Sequence, residues 1–225
     1  MGVLSITLII VIITTLISIN AFSNGRLMED LIFYPPAITR RNQWYRFFSC
    51  GLIHADWAHL IFNMLSLYLF GENVEEGFVI IFGQKGKLFY LLLYILALFF
   101  SLLPTFARHK DSYHYRSLGA SGAVSAVVFT GILLNPIGGV GLFFIPIFVA
   151  GFIYGFIYLA LTAWLDKRGA DNINHSAHLY GALFGIGSTI VFCYSFSNYP
   201  VVQVFIDSIK NADPADFIQF GKSSF

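Results

Sequence analysis

Charge is what this sequence most lacks. Asp, Glu, Lys and Arg are absent from residues 1–25, 88–107, 117–165 and 172–206. Charged residues make up 11% of the chain, against about 25% in an ordinary soluble domain. Uncharged apolar runs of this length exclude a soluble protein, because a membrane-crossing helix needs about 20 such residues. No basic cluster exists and the net charge is only +1, which excludes a nucleic-acid surface. Cysteine is scarce too. Cys50 and Cys193 lie far apart beside apolar runs, so free buried thiols are expected rather than a disulfide framework. The HExxH signature is missing. His175-x2-His178 and His54-x4-His59 offer ring nitrogens, but Asp56 is the only nearby carboxylate, so no metal and no cofactor are expected.

What is present is an all-α pattern of six apolar spans, at about 3–22, 57–71, 88–107, 119–134, 142–164 and 176–194. The first lacks a basic leader and exceeds a signal-peptide core in length, so it reads as a retained helix. The uncharged block 117–165 is too long for one helix. Asn135, Pro136, Gly138, Gly139 and Gly141 break it in two. One six-helix domain over 1–195 and a short polar tail over 196–225, amphipathic or disordered, are expected. The connection 23–56 carries Leu31, Phe33, Tyr34, Trp44, Tyr45, Phe47 and Phe48. Trp and Tyr favour the membrane interface, so this loop is expected to be structured and to lie there.

Polar side chains at membrane depth are costly and point to function. Four stand out: His59, Asn63, Ser121 and His178. Gly119-Ala120-Ser121-Gly122 opens the fourth span. A helix N-terminus offers unpaired N–H groups and a dipole that favours an oxyanion. Small residues there also serve plain helix packing. Gly181 and Gly185 share a helix face with His178. Against Gly122 and Ala126 they would let two helices approach closely enough for a serine–histidine hydrogen bond. A histidine bonded to a facing helix for packing alone is the alternative. His59 and Asn63, one turn apart, can donate to an oxyanion or tie helices together.

Together these motifs resemble the rhomboid family. The likeness runs from Trp44-Tyr45-Arg46 through His54, His59 and Asn63, then Gly71 to Glu75, Gly119 to Gly122, and Ala177 to Gly185. The resemblance implies an intramembrane serine endopeptidase with a Ser121–His178 dyad and no third acid. It implies an oxyanion hole from His59, Asn63 and the Ser121 amide. Trp44 and Arg46 would anchor the first loop, and Glu75 would stabilise the loop after the second span. Substrates would be other transmembrane proteins, cut within the lipid bilayer by a chain that works as a monomer, in the inner or plasma membrane if bacterial. A proteolytically silent, client-binding relative is the alternative. Many members carry an aromatic residue one turn after the serine, where this chain has Ser125. Tyr180 or Ser125 would then hold the His178 ring. The first loop and the fifth span, with Gly151 and Gly155, are the expected substrate gate. Loops on the serine side carry nine basic residues against four opposite. The positive-inside rule would invert the chain, whereas the resemblance implies a cytoplasmic amino terminus.

Overall fold

The computed structural model describes residues 4–141, 147–169 and 173–220. The long helices are α1 (Ile6–Ser23), α5 (Trp57–Phe82), α6 (Gly86–His109), α7 (Ser121–Leu134), α8 (Gly151–Arg168) and α9 (His175–Phe196). Between α1 and α5 lie α2 (Gly25–Leu31), α3 (Pro35–Arg41) and α4 (Arg46–Ser49); α10 (Val201–Lys210) follows α9. Three helical stretches, Ile6–Ser23, Trp57–His109 and His175–Phe196, are long and apolar enough to cross a membrane.

The middle of the bundle is α7. Every residue from Gly122 to Leu133 is buried, which accounts for a helix that is apolar all round. It packs against α5, α6 and α9. The α7–α9 contact is the closest. A Cβ on Gly181 would overlap the Gly122 carbonyl, and one on Gly185 the Ala126 carbonyl. Lower down, the Thr130 and Thr189 hydroxyls meet at 2.9 Å. This is the small-residue face read from the sequence, extended by a polar tie.

The second span is longer than expected. Its glutamates look like a solvent-side end, yet the helix continues to Phe82. Glu75 reaches across the following turn to Lys87 at 3.6 Å, and it also holds α1. It is buried and accepts the Ile6 and Thr7 amides at 3.0 and 2.9 Å, so a carboxylate caps the unpaired N–H groups that open α1. Gly71 leaves room there for Tyr90 and Thr7, whose hydroxyls pair at 2.8 Å.

The fifth span also differs. The helix begins at Gly151, not near 142, and residues 142–146 lie outside those described. Before it, β1 (Gly139–Gly141) pairs with β2 (Ile147–Ala150) in antiparallel register, Gly139 opposite Ala150. β3 (Ile218–Phe220) adds to β2, Ile147 opposite Phe220. Among the described residues, the regular structure is therefore helical apart from one small sheet and a bridge between Phe33 and Ser117. Residues 196–220 are not a loose end. Val201 of α10 is buried with Leu133 and Cys193, Phe217 packs on Phe152, and β3 completes the sheet at the foot of α8.

The first connection is ordered, as expected. Buried Arg46 donates to the Glu29 and Ile32 carbonyls at 2.9 and 2.7 Å, and to Gln43 Oε1 at 2.7 Å. Trp44, Tyr45 and Phe48 are exposed. Cys50 and Cys193 are buried free thiols.

Candidate active site

Ser121 is the first residue of α7. The chain reaches it through Gly119, whose φ of +110° favours a residue without Cβ. A Cβ there would also strike the His59 ring, 2.6 Å from Cε1. The helix therefore starts two residues later than the 119–134 reading. The first intrahelical bond goes from Val124 N–H to Ala120 O at 2.9 Å. The amides of Ser121, Gly122 and Ala123 come before it, at the positive end of the helix dipole.

The first connection splints this turn. Phe33 and Ser117 exchange backbone bonds of 3.0 and 3.1 Å, and Gly119 N–H donates to Cys50 O at 2.9 Å. Ala120 N–H donates to His54 Nε2 at 3.4 Å. On its other side, His54 Nδ1 lies 2.9 Å from Ser18 Oγ, whose proton goes to Leu52 O. His54 therefore carries its proton on Nδ1 and accepts on Nε2. Only a neutral ring can do both. Burial pushes its pKa down to about 3, helped by neighbouring His59 and opposed by Asp56. In the unfolded chain the same ring titrates near 6.5. Below that value the unfolded state binds the extra proton, so stability should fall as pH drops from about 6.5 towards about 3. Melting temperatures in detergent across that range check it. His54→Asn, which cannot titrate, should show a shallower slope.

His178 enters from α9. Asn174 caps that helix, its Oδ1 accepting from Ala177 N–H and from Thr105 Oγ1, both at 3.0 Å. Its Nδ2 donates to Ser117 Oγ at 3.3 Å. One side chain thus fixes the start of α9 against α6 and against the strand of chain that leads to Ser121. The result is a 2.7 Å contact between His178 Nε2 and Ser121 Oγ. That lies within the range of a serine–base pair, about 2.6–3.2 Å.

All four residues singled out in the sequence line one cavity of about 800 Å³. Ala55 N–H donates to His59 Nδ1 at 3.4 Å, which leaves Nε2–H as the ring's donor, on the side facing Gly119. Buried Asn63 uses one amide hydrogen on the His59 carbonyl at 2.9 Å and has a second. Asp56 caps α5 through the His59 amide at 2.8 Å and also lines the cavity. Among the described residues, no three His, Cys, Asp or Glu side chains converge as a metal would need.

Sequence reasoning missed two wall residues, Tyr154 and Tyr158 of α8. Their signal was available, since they are one turn apart and interleave with Gly151 and Gly155. Those glycines face α7, where an added Cβ would meet Ile132 and Phe129. The Ser125 hydroxyl lies 3.0 Å from that of Tyr158. Tyr180 is exposed.

Comparison with known proteins agrees with this architecture. The family model for the rhomboid domain matches residues 41–195. RHOMBOID-like protein 12, mitochondrial, of Arabidopsis thaliana is 30% identical over 74% of this chain and 47% of its own length. Presenilin-associated rhomboid-like protein, mitochondrial, of Mus musculus is 32% identical over 59% of this chain and 34% of its own. The rhomboid protein YdcA of Bacillus subtilis is 28% identical over 64% of each. The chain spans about half the length of the first of these relatives. Rhomboids are integral membrane proteins, in general serine intramembrane proteases. With the family model matched across most of its length, the chain belongs to the rhomboid family.

Proposed function

We propose that this rhomboid is an active intramembrane serine endopeptidase, with Ser121 as nucleophile and His178 as general base. The observation that carries the reading is the 2.7 Å contact between His178 Nε2 and Ser121 Oγ at the start of a buried helix. Ser121 attacks the substrate carbonyl carbon and its proton passes to His178. The oxyanion forms beside the Ser121 amide, His59 Nε2–H and the spare Asn63 N–H. Its collapse breaks the C–N bond, and His178 returns the proton to the leaving amine. His178 then takes a proton from the water that attacks the acyl carbon and hands it to Ser121 Oγ as the acyl–oxygen bond breaks, which restores the free serine.

Helices α1, α5, α6, α7, α8 and α9 are the six spans of this reading. With 14 residues, α7 is only about 21 Å long, shorter than a hydrocarbon core of about 30 Å. A helix that short starts below the membrane surface, which sinks Ser121 into the bilayer while the polar cavity above it admits water. Peptide bonds in a membrane helix are shielded by their own hydrogen bonds. Substrates are therefore transmembrane proteins whose helices unwind locally. One chain encloses the whole site, so it works as a monomer.

Labelling by a fluorophosphonate probe in detergent micelles tests the reading. The wild-type chain should label, and Ser121→Ala and His178→Ala should not. Asn63→Ala should label and cleave about 10²–10³-fold more slowly, the usual cost of one oxyanion donor. A wild-type chain that stays unlabelled beside an active rhomboid would make client binding without proteolysis the better reading.

A further inference from the structure

The cavity that holds Ser121 and His178 is almost free of fixed charge. Among the described residues that line it, only Asp56 carries a carboxylate and only Arg116 a permanent cation. No ion pair joins the two. The Asp56 carboxylate caps α5 through the His59 amide at 2.8 Å, where the helix dipole offsets its charge. Arg116 has no such answer. It lies on the segment that leads to the serine, beside the Phe33–Ser117 bridge. Its guanidinium sits 4.4 Å over the Tyr34 ring and donates from Nη1 to the Tyr113 carbonyl at 3.2 Å. Glu29 Oε2 is 3.8 Å from its Nε, on a side chain that is 65% exposed, so water screens that pair and it contributes little. A guanidinium has five donors in a fixed fork. One held by a ring face and a single carbonyl keeps donors for a further carboxylate.

We infer that Arg116 is a specificity-determining residue that selects substrates carrying an Asp or Glu close to the scissile bond. The inference rests on the protease reading. Arg116 stands five positions before Ser121, and an extended chain of that length spans at most about 17 Å. An extended substrate seated at Ser121 advances about 3.3 Å per residue. The favoured carboxylate therefore lies within about five residues of the bond that is cut. The Tyr34 ring and the Tyr113 carbonyl hold the guanidinium before substrate arrives, so little side-chain freedom is lost on pairing. A partly enclosed wall also makes the attraction stronger than it would be in open water. Asp56, at the start of α5, repels a carboxylate that enters on that side and so gives the choice a direction. Charges are rare in and near membrane spans, which makes a single acidic residue beside the cleaved bond a distinguishing mark.

The test uses the full chain and single-span reporters in which one residue is Asp, Asn or Lys. That residue is walked from five positions before the scissile bond to five after it. At one or two adjacent positions the wild-type chain should cleave the Asp reporter about fivefold better in kcat/KM than its Asn twin, the scale of one partly exposed ion pair. The Lys reporter should be poorer still. The preference should fade as salt is raised, because salt screens such pairs. Arg116→Lys should keep the preference, Arg116→Gln should level it, and Arg116→Glu should turn it towards Lys. No preference at any position, or one that survives Arg116→Gln, would overturn the inference. So would an equal loss across the three reporters in a variant that melts like wild type, which would make Arg116 a splint of the serine turn. An Arg116 effect that follows the phosphatidylglycerol content of vesicles and ignores reporter charge would assign the guanidinium to a lipid phosphate and overturn it as well. Fluorescence anisotropy of the same reporters reads their binding without cleavage. A wild-type chain that shows the Arg116-dependent preference in binding, yet neither labels with the fluorophosphonate probe nor cleaves, would sink the protease reading alone.

Discussion

On the protease reading, Ser121→Ala should reduce reporter cleavage by about four to six orders of magnitude, as loss of the nucleophile does in serine proteases. The substitution removes one oxygen at the first position of α7 and nothing that packs. The Val124–Ala120 bond, the splint from Phe33 and Cys50, and the α7–α9 contact are all independent of it. The melting temperature should therefore stay near that of wild type. His178→Ala should cost about as much, and the double variant little more than either single, because the two side chains act as one unit. Cleavage assays in detergent, with melting curves on the same samples, check this. Cleavage that survives Ser121→Ala would remove the nucleophile from the site.

Gly181→Ala should cost at least about 100-fold in activity, the scale of a 1 Å misplacement of reacting groups. The added methyl overlaps the Gly122 carbonyl, so α7 and α9 must part. Overpacking of this kind also costs about 1–3 kcal/mol of stability. Gly181 lies one turn below His178, and Gly122 directly follows Ser121, so the parting falls on the 2.7 Å contact itself. Gly187→Ala on the same helix is the control. No atom lies within 4 Å of its would-be Cβ, and both activity and melting temperature should hold. Equal effects at 181 and 187 would mean that helix propensity, rather than close approach, is at work.

The pairing of Ser121 with His178 was legible because both side chains are expensive at membrane depth and both sit beside residues too small for packing alone. Gly122, Ala126, Gly181 and Gly185 already described the interface that brings them together. His59 and Asn63 were legible by their one-turn spacing. Other features hid behind ambiguous chemistry. The resemblance assigns Glu75 to the loop after the second span, and only the fold reveals that it also caps a helix some seventy positions away in the chain. Tyr158 reads as one more aromatic in an apolar helix; its hydroxyl gains meaning only through Ser125 on a neighbour. The sheet was invisible because short apolar strands next to glycines look like the start of a span. The tail looked polar because Asp207, Lys210, Asp213 and Asp216 dominate it, yet Val201 and Phe217 do the packing.

The sheet at the foot of α8 also implies an order of assembly. β1 and β2 leave the ribosome long before β3, and the bundle from α1 to α9 can come together in the meantime. Until residues 218–220 arrive, β2 has a bare edge and α8 stands on a two-stranded hairpin, which is marginal by itself. The helix that walls the cavity thus gains its full footing only when the last described segment has been translated. The strand that completes this footing follows its partner by about seventy residues, so the wall of the cavity depends on a segment remote from it in the chain.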